Sequence, residues 1–172
     1  MASHIDIRRI TLAALMAALI FVLTTIPRIP VPATGGYVHL GDAGVTFAAV
    51  AFGPWVAMVA GGLGTGLADL LGFPQWAPFS LIVHGVQGLV LGLILSRKVD
   101  WARVILTTLA GIAIVVTGYF AAGVILESPA VAALEIVPNI LQALSGSIIG
   151  FPLYWAVRRA YPTVERYSQR SA

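Results

Sequence analysis

Apolar residues run along this chain in long blocks, and the blocks are parted by short clusters of proline, glycine or charge. A membrane-crossing helix needs roughly 20 apolar residues. On that measure the blocks predict six spans, at residues 10–26, 40–53, 55–72, 78–96, 102–126 and 137–157. Residues 40–72 as one straight helix would reach about 50 Å at 1.5 Å per residue. Gly53-Pro54 is therefore expected to break that block into two short helices. Between the first two spans, Pro27-Arg28-Ile29-Pro30-Val31-Pro32 forbids helix and favours extended chain, and Ala33-Thr34-Gly35-Gly36 supplies turn chemistry. Residues 27–39 are thus expected to form a loop long enough to act as a lid. The predicted fold class is all-α: one integral membrane bundle of six transmembrane helices, spanning residues 1–172 as a single domain.

Composition agrees with that pattern. Hydrophobic residues make up 59% of the chain and charged residues 10%, with mean hydropathy +0.94, whereas a soluble domain carries about 25% charge. Between Leu12 and Ser96 only Arg28, Asp42 and Asp69 are formally charged. The net charge of +3 reads as helix-flanking cations, so no nucleic-acid partner is expected. With six spans both termini share one side. That side would hold Arg8, Arg9, Arg97, Lys98, Arg103, Arg158, Arg159, Arg166 and Arg170, and the other only Arg28. By the positive-inside rule both termini are expected in the cytoplasm. The short charged lead before the first block is not expected to be a cleaved signal, because hydrophobicity continues downstream without a convincing cleavage site.

The acids and histidines are few and oddly placed. Asp42, Asp69 and His39 fall toward the outer side, and His84 about a turn and a half into its helix. An ionisable group within the membrane costs about 2.5–3.5 kcal/mol on insertion scales and usually has a function. The structural alternatives are that Asp42 and Asp69 cap helix ends or pair with His39 or Arg28, Asp42 having the chemistry of an N-cap, and that His84 is a hydrogen-bonded packing histidine. His84 and Gln87 share a helix face at a spacing of three, which Asn139 and Gln142 repeat. These groups predict a pocket in the outer half. Gly61-Gly62-Leu63-Gly64-Thr65-Gly66 suits close helix packing or a local unwinding; with no Lys-Ser/Thr following, it is not a phosphate loop. The chain has no cysteine, which excludes disulfides, thiolate metal sites and a cysteine nucleophile. Zinc-protease spacings and intramembrane-protease motifs are also absent, so an enzyme, a metal site or a cofactor is not expected. In the first span, Ala13 with Ala17 and Ala14 with Ala18 make two overlapping strips of small residues. Such strips let another helix approach closely, within the bundle or from a partner.

The motifs Gly36-Tyr37-Val38-His39-Leu40-Gly41-Asp42, Gly61-Gly62-Leu63-Gly64 and Leu67-Ala68-Asp69-Leu70, on six short spans with a long first loop, resemble the substrate-binding S component of energy-coupling factor (ECF) vitamin transporters. The likeness is to the branch with hydroxymethylpyrimidine/pyridoxine, pantothenate and riboflavin S components. It implies a subunit of the prokaryotic cytoplasmic membrane that captures a vitamin from outside for ATP-driven uptake. Its implied partners are a membrane scaffold subunit and two cytoplasmic ATPases. Ala13, Ala14, Ala17 and Ala18 would meet the scaffold. His39, Asp42, Asp69, His84, Gln87 and Asn139 would face the vitamin, with Tyr37, Trp76 and Tyr119 as stacking surfaces. Carboxylates and imidazoles without an inward arginine favour hydroxymethylpyrimidine or a pyridoxine-like ligand over pantothenate; riboflavin or pantothenate within the same family is the alternative. The other class of reading is a membrane scaffold or assembly protein with no small ligand.

Overall fold

The computed structural model describes residues 7–167, with side chains through Val164. Arg170 and the side chain of Arg166, invoked above for the positive side, lie outside this description. The described elements are α1 (Ile7–Thr25), β1 (Ile29–Val31), β2 (Gly36–Val38), α2 (Gly41–Phe52), α3 (Pro54–Gly72), α4 (Ala77–Leu95), α5 (Trp101–Leu126), α6 (Pro129–Leu134) and α7 (Ile136–Ala160), then a 3₁₀ turn at Pro162–Tyr167. Five helices are long and apolar enough to cross a membrane, and Gly41–Phe52 is a shorter apolar helix.

Two features depart from the all-α expectation of six helices. The proline-rich segment is extended as expected, but it pairs with itself. Ile29 stands opposite Val38, Pro30 opposite Tyr37 and Val31 opposite Gly36 in an antiparallel hairpin, and Gly35 turns it with φ of 70°. A proline is tolerated in such a strand because the missing N–H can face away from the partner. The additional helix, the six-residue α6, is nucleated by Ser128, whose hydroxyl accepts from the Val131 N–H at 3.3 Å, with Pro129 opening the first turn.

Gly53 separates α2 from α3 at φ 88°, and Pro54 starts the next helix. Every residue of α2 from Gly41 to Ala51 is buried. At 1.5 Å per residue its 12 residues measure about 18 Å, which is short of the ~30 Å hydrocarbon core. Protein surrounds it instead of lipid: α1, α3, α4 and α7 all pack on it.

Small residues make that packing possible. A Cβ on Gly88 of α4 would lie 2.3 Å from the Ala57 carbonyl oxygen of α3, and one on Gly92 2.3 Å from the Pro54 Cα. The glycine run in α3 is a contact surface too: a Cβ on Gly61 or Gly62 would lie 2.7 Å from the carbonyl oxygen of His84 or Leu81 in α4. Large apolar side chains point the other way: Ile82, Leu109 and Ile148 are 60%, 59% and 63% exposed. A core of Ala and Gly under a surface of Leu and Ile inverts the usual soluble pattern and suits a lipid environment.

Chain direction then sorts the ends. The hairpin, the starts of α2, α4 and α7, and the ends of α1, α3 and α5 gather at one end of the bundle. Arg8, Arg9, Arg97, Lys98, Arg103, Arg158 and Arg159 belong to the opposite end. There Asp100 caps α5, accepting from the Arg103 N–H at 2.9 Å. Lys98 at 2.7 Å and that N–H hold its carboxyl below the ordinary range.

Candidate functional site

At the hairpin end the helices leave a cavity of about 200 Å³. The hairpin covers it with Thr34, Gly35, Gly36 and Tyr37. The α3–α4 connector contributes Phe73, Gln75 and Trp76, and the end of α5 contributes Tyr119, Gly123 and Glu127. The α6–α7 segment closes the remaining wall with Val131, Ala132, Glu135, Asn139 and Gln142, and His39 and Asp69 complete the lining. None of these residues is lysine or arginine, whereas three are carboxylates.

Asp69 is the most connected of them. Its side chain is 5% exposed, and its two oxygens accept from the Tyr37 and Ser80 hydroxyls. Ser80 in turn lies 2.6 Å from the Tyr119 hydroxyl. Hairpin, α3, α4 and α5 are thus joined through one carboxylate. Burial, then the Asp69 charge, push the Tyr37 phenol well above its ordinary value, so it stays a donor. The Tyr37 ring stacks on Phe73 at 5.1 Å between centroids. The Arg28 guanidinium lies beside both rings, 4.4 Å from the Tyr37 centroid and 5.7 Å from that of Phe73, within cation–π range. Arg28 is thereby occupied as a prop for the hairpin, and it also reaches the Ala68 carbonyl at 3.4 Å.

His39 follows the hairpin, and its Nδ1 accepts from the Gly41 N–H at 3.0 Å while its own backbone N–H donates to Gln142 Oε1 at 3.2 Å. Burial, then the neighbouring His84 and Arg28, push the His39 imidazole well below its ordinary value. It is therefore neutral, with its proton on Nε2.

The structure places the expected site residues in two layers. Tyr37, His39, Asp69, Trp76, Tyr119 and Asn139 line the cavity. Asp42, His84 and Gln87 lie behind them, each no more than 1% exposed. Asp42 does not cap α2: it sits in the first turn, and Leu40 at the cap position makes no side-chain bond. Its carboxylate turns inward, accepting from Gln87 Nε2 at 3.2 Å and facing His84 Nδ1 at 3.3 Å. Gly146 and Gly150 of α7 allow this, because any Cβ there would strike Asp42 or Thr46 at 2.6–2.7 Å. Its place in the first turn of α2 puts an acidic side chain where the helix dipole favours one. Among the described residues no cluster of three or more His, Cys, Asp or Glu could hold a metal ion.

The two alanine strips separate. Ala13 and Ala17 are 3% and 9% exposed; Ala17 lies against α3, where a Cβ on Gly64 would come within 2.8 Å of its carbonyl oxygen. Both pack inside the bundle. Ala14 and Ala18 are exposed. Sequence reasoning passed over Phe73 and Ser80. Phe73 reads as part of a bland connector, and a serine in the first turn of an apolar helix carries no signal until Asp69 is seen beside it.

A family model described as "ECF-type riboflavin transporter, S component" matches residues 4–159. The chain is 34% identical over 146 residues to the thiamine precursor transporter HmpT of Lactococcus lactis subsp. cremoris, covering 84% of each protein. It is 39% identical over 145 residues to an uncharacterised protein of Pyrococcus woesei, covering 84% of this chain and 98% of that one. In three dimensions it is similar to the crystal structure of an S component for biotin from an ECF-type ABC transporter. The TM-score is 0.61 at 18% identity, covering 94% of this chain and 95% of the other; this likeness shows the fold. The chain belongs to the family of ECF-type transporter S components and is thus a component of a vitamin transporter rather than an enzyme.

Proposed function

We propose that the chain captures a small, single-ring heteroaromatic vitamin precursor of the hydroxymethylpyrimidine kind. The carrying observation is the cavity: about 200 Å³, bounded by Tyr37, Phe73, Trp76 and Tyr119 and by three carboxylates. Pockets for drug-sized ligands run about 300–1,000 Å³, so this one suits one substituted ring better than a tricyclic flavin with its sugar chain. Aromatic faces stack on such a ring. Asp69, Glu127 and Glu135 accept from amino and hydroxymethyl groups. A lining without lysine or arginine disfavours pantothenate, an anion. The thiamine-precursor specificity of the 34% identical relative points the same way. Riboflavin is the second reading, because the matching family model is described by it; a pyridoxine-like ring would also fit the cavity.

In this reading the chain is one membrane domain of the cytoplasmic membrane, with α2 counted as a sixth, short crossing. The cavity end faces outward and the arginine-rich end, with both termini, faces the cytoplasm. The hairpin serves as the lid, and Ala14 and Ala18 form the outward strip for a scaffold subunit whose ATPases drive release. The test is to denature gently purified protein and identify the released small molecule by mass spectrometry. A hydroxymethylpyrimidine is expected; riboflavin, or no ligand together with no saturable binding, would overturn the reading.

A further inference from the structure

The layer behind the cavity contains a buried polar atom that the fold itself leaves unused. His84 is fully buried, and its Nε2 has no hydrogen-bond partner. An orphaned acceptor or donor in such a place is costly. Its other nitrogen has a partner: Nδ1 is hydrogen-bonded to Gln87 Oε1 at 2.8 Å and faces Asp42 Oδ1 at 3.3 Å, an oxygen that itself has no hydrogen-bond partner.

The partners decide the tautomer. Gln87 donates through Nε2 to Asp42 Oδ2, so its amide oxygen is the end that meets His84. Oxygens on both sides require a proton on His84 Nδ1. In the neutral ring Nε2 is then a bare acceptor. His39 is the opposite case, because its Nδ1 accepts from the Gly41 N–H and its proton is on Nε2. The two rings lie 5.6 Å apart, and Tyr119 flanks His84 at 5.7 Å. His39 and Tyr119 both line the cavity. His84 itself lies directly behind this lining with Nε2 sealed from the cavity; a ligand edge that parts His39 from Tyr119 would meet one acceptor and one donor side by side.

We propose that His84, positioned by Gln87 and Asp42, is a specificity-determining acceptor for an aminopyrimidine edge. The exocyclic N–H of the ligand donates to His84 Nε2, and His39 Nε2–H donates to the adjacent ring nitrogen. This rests on the substrate reading above and adds the atoms that enforce it. A 4-oxo pyrimidine presents the reversed pattern, carbonyl oxygen and ring N–H, and meets acceptor with acceptor and donor with donor. Sites built to hydrogen-bond a ligand group reject its mismatched analogue strongly.

The test is calorimetry on the purified full-length chain with 4-amino-5-hydroxymethyl-2-methylpyrimidine and its 4-oxo counterpart. Wild-type protein should prefer the amino compound by at least about 100-fold. His84→Gln and Gln87→Leu should cut that ratio to about 10-fold or less, because the first can present either polarity and the second releases the tautomer. A merely structural role would lower both affinities and leave the ratio intact, and that result would overturn the proposal. Should both variants fail to fold, ¹⁵N-histidine NMR of the wild type decides, with His39→Gln and His4→Ala proteins for assignment. The His84 Nε2 resonance should have the position of a bare nitrogen and move upfield when the amino compound binds. An unmoved resonance, as an ordered water held at Nε2 would give, contradicts the proposal. If neither pyrimidine binds the wild type, the substrate reading falls as well; if the amino compound binds without selectivity or shift, only this inference falls.

Discussion

The Tyr37 hydroxyl donates to the Asp69 carboxylate, tying the hairpin to the end of α3 across the mouth of the cavity. This bond makes the cover and the wall one unit, because Asp69 also holds Ser80 of α4. Tyr37→Phe should therefore loosen the cover while leaving the aromatic surface in place. A hydrogen bond to a charged group contributes about 1.5–3 kcal/mol, so affinity for hydroxymethylpyrimidine should fall about 10-fold or more, mainly through faster dissociation. Stopped-flow and calorimetry on the purified variant check this. Asp69→Ala should weaken binding further; unchanged affinity would reduce Asp69 to a structural brace.

The alanine strips predict two different failures. Ala17→Leu places a large side chain against α3 at a buried position, and overpacking of that kind costs about 1–3 kcal/mol. Its unfolding temperature, read from the fluorescence of the four tryptophans, should drop. Ala14→Leu with Ala18→Leu should leave both melting and ligand affinity unchanged and abolish ATP-driven uptake in cells carrying the partner subunits. Uptake that survives would remove these residues from the docking surface.

Close packing of α3 on α4 is equally open to test. Gly92→Leu would drive a side chain into the Pro54 backbone, which stands 2.3 Å from the nearest added atom. A few kcal/mol of destabilisation is expected, seen as a lower melting temperature or loss of folded protein in detergent. Gly35, where an added Cβ meets nothing within 4 Å, should tolerate alanine with only the modest cost of its positive φ.

His39 sets a pH dependence. Its pKa is depressed in the fold, so the unfolded chain takes up the proton more readily. The stability from this group is fully present above the ordinary histidine value of about 6.5. It is lost as pH falls from there through the lower folded value. Melting temperature should decline on acidification below about pH 6.5, and the decline should be shallower in His39→Gln. A variant with the same pH profile as wild type would show that another group is responsible.

Much of this arrangement is legible from residue types alone. The break at Gly53-Pro54, the glycine face of α3 and the clustering of Tyr37, His39, Asp69 and Asn139 all follow from apolar blocks interrupted by groups that lipid will not accept. Other features depend on tertiary choices that leave no period in the chain. Strands of three residues have too few positions to alternate, so the hairpin reads only as extended chain. The two alanine strips are adjacent on one helix, and only the position of Gly64 decides which turns inward. Asp42 has the chemistry of a cap, but Gly146 leaves room for its Cβ against α7 and its carboxylate meets Gln87 and His84 of α4.

Whether the cavity takes a single aminopyrimidine-like ring is decided by titrating purified, ligand-free protein with hydroxymethylpyrimidine and, separately, with riboflavin, in one calorimetric series. Hydroxymethylpyrimidine should bind saturably at one molecule per chain, and riboflavin should not bind at the same concentrations. Tight riboflavin binding with no response to hydroxymethylpyrimidine would contradict this.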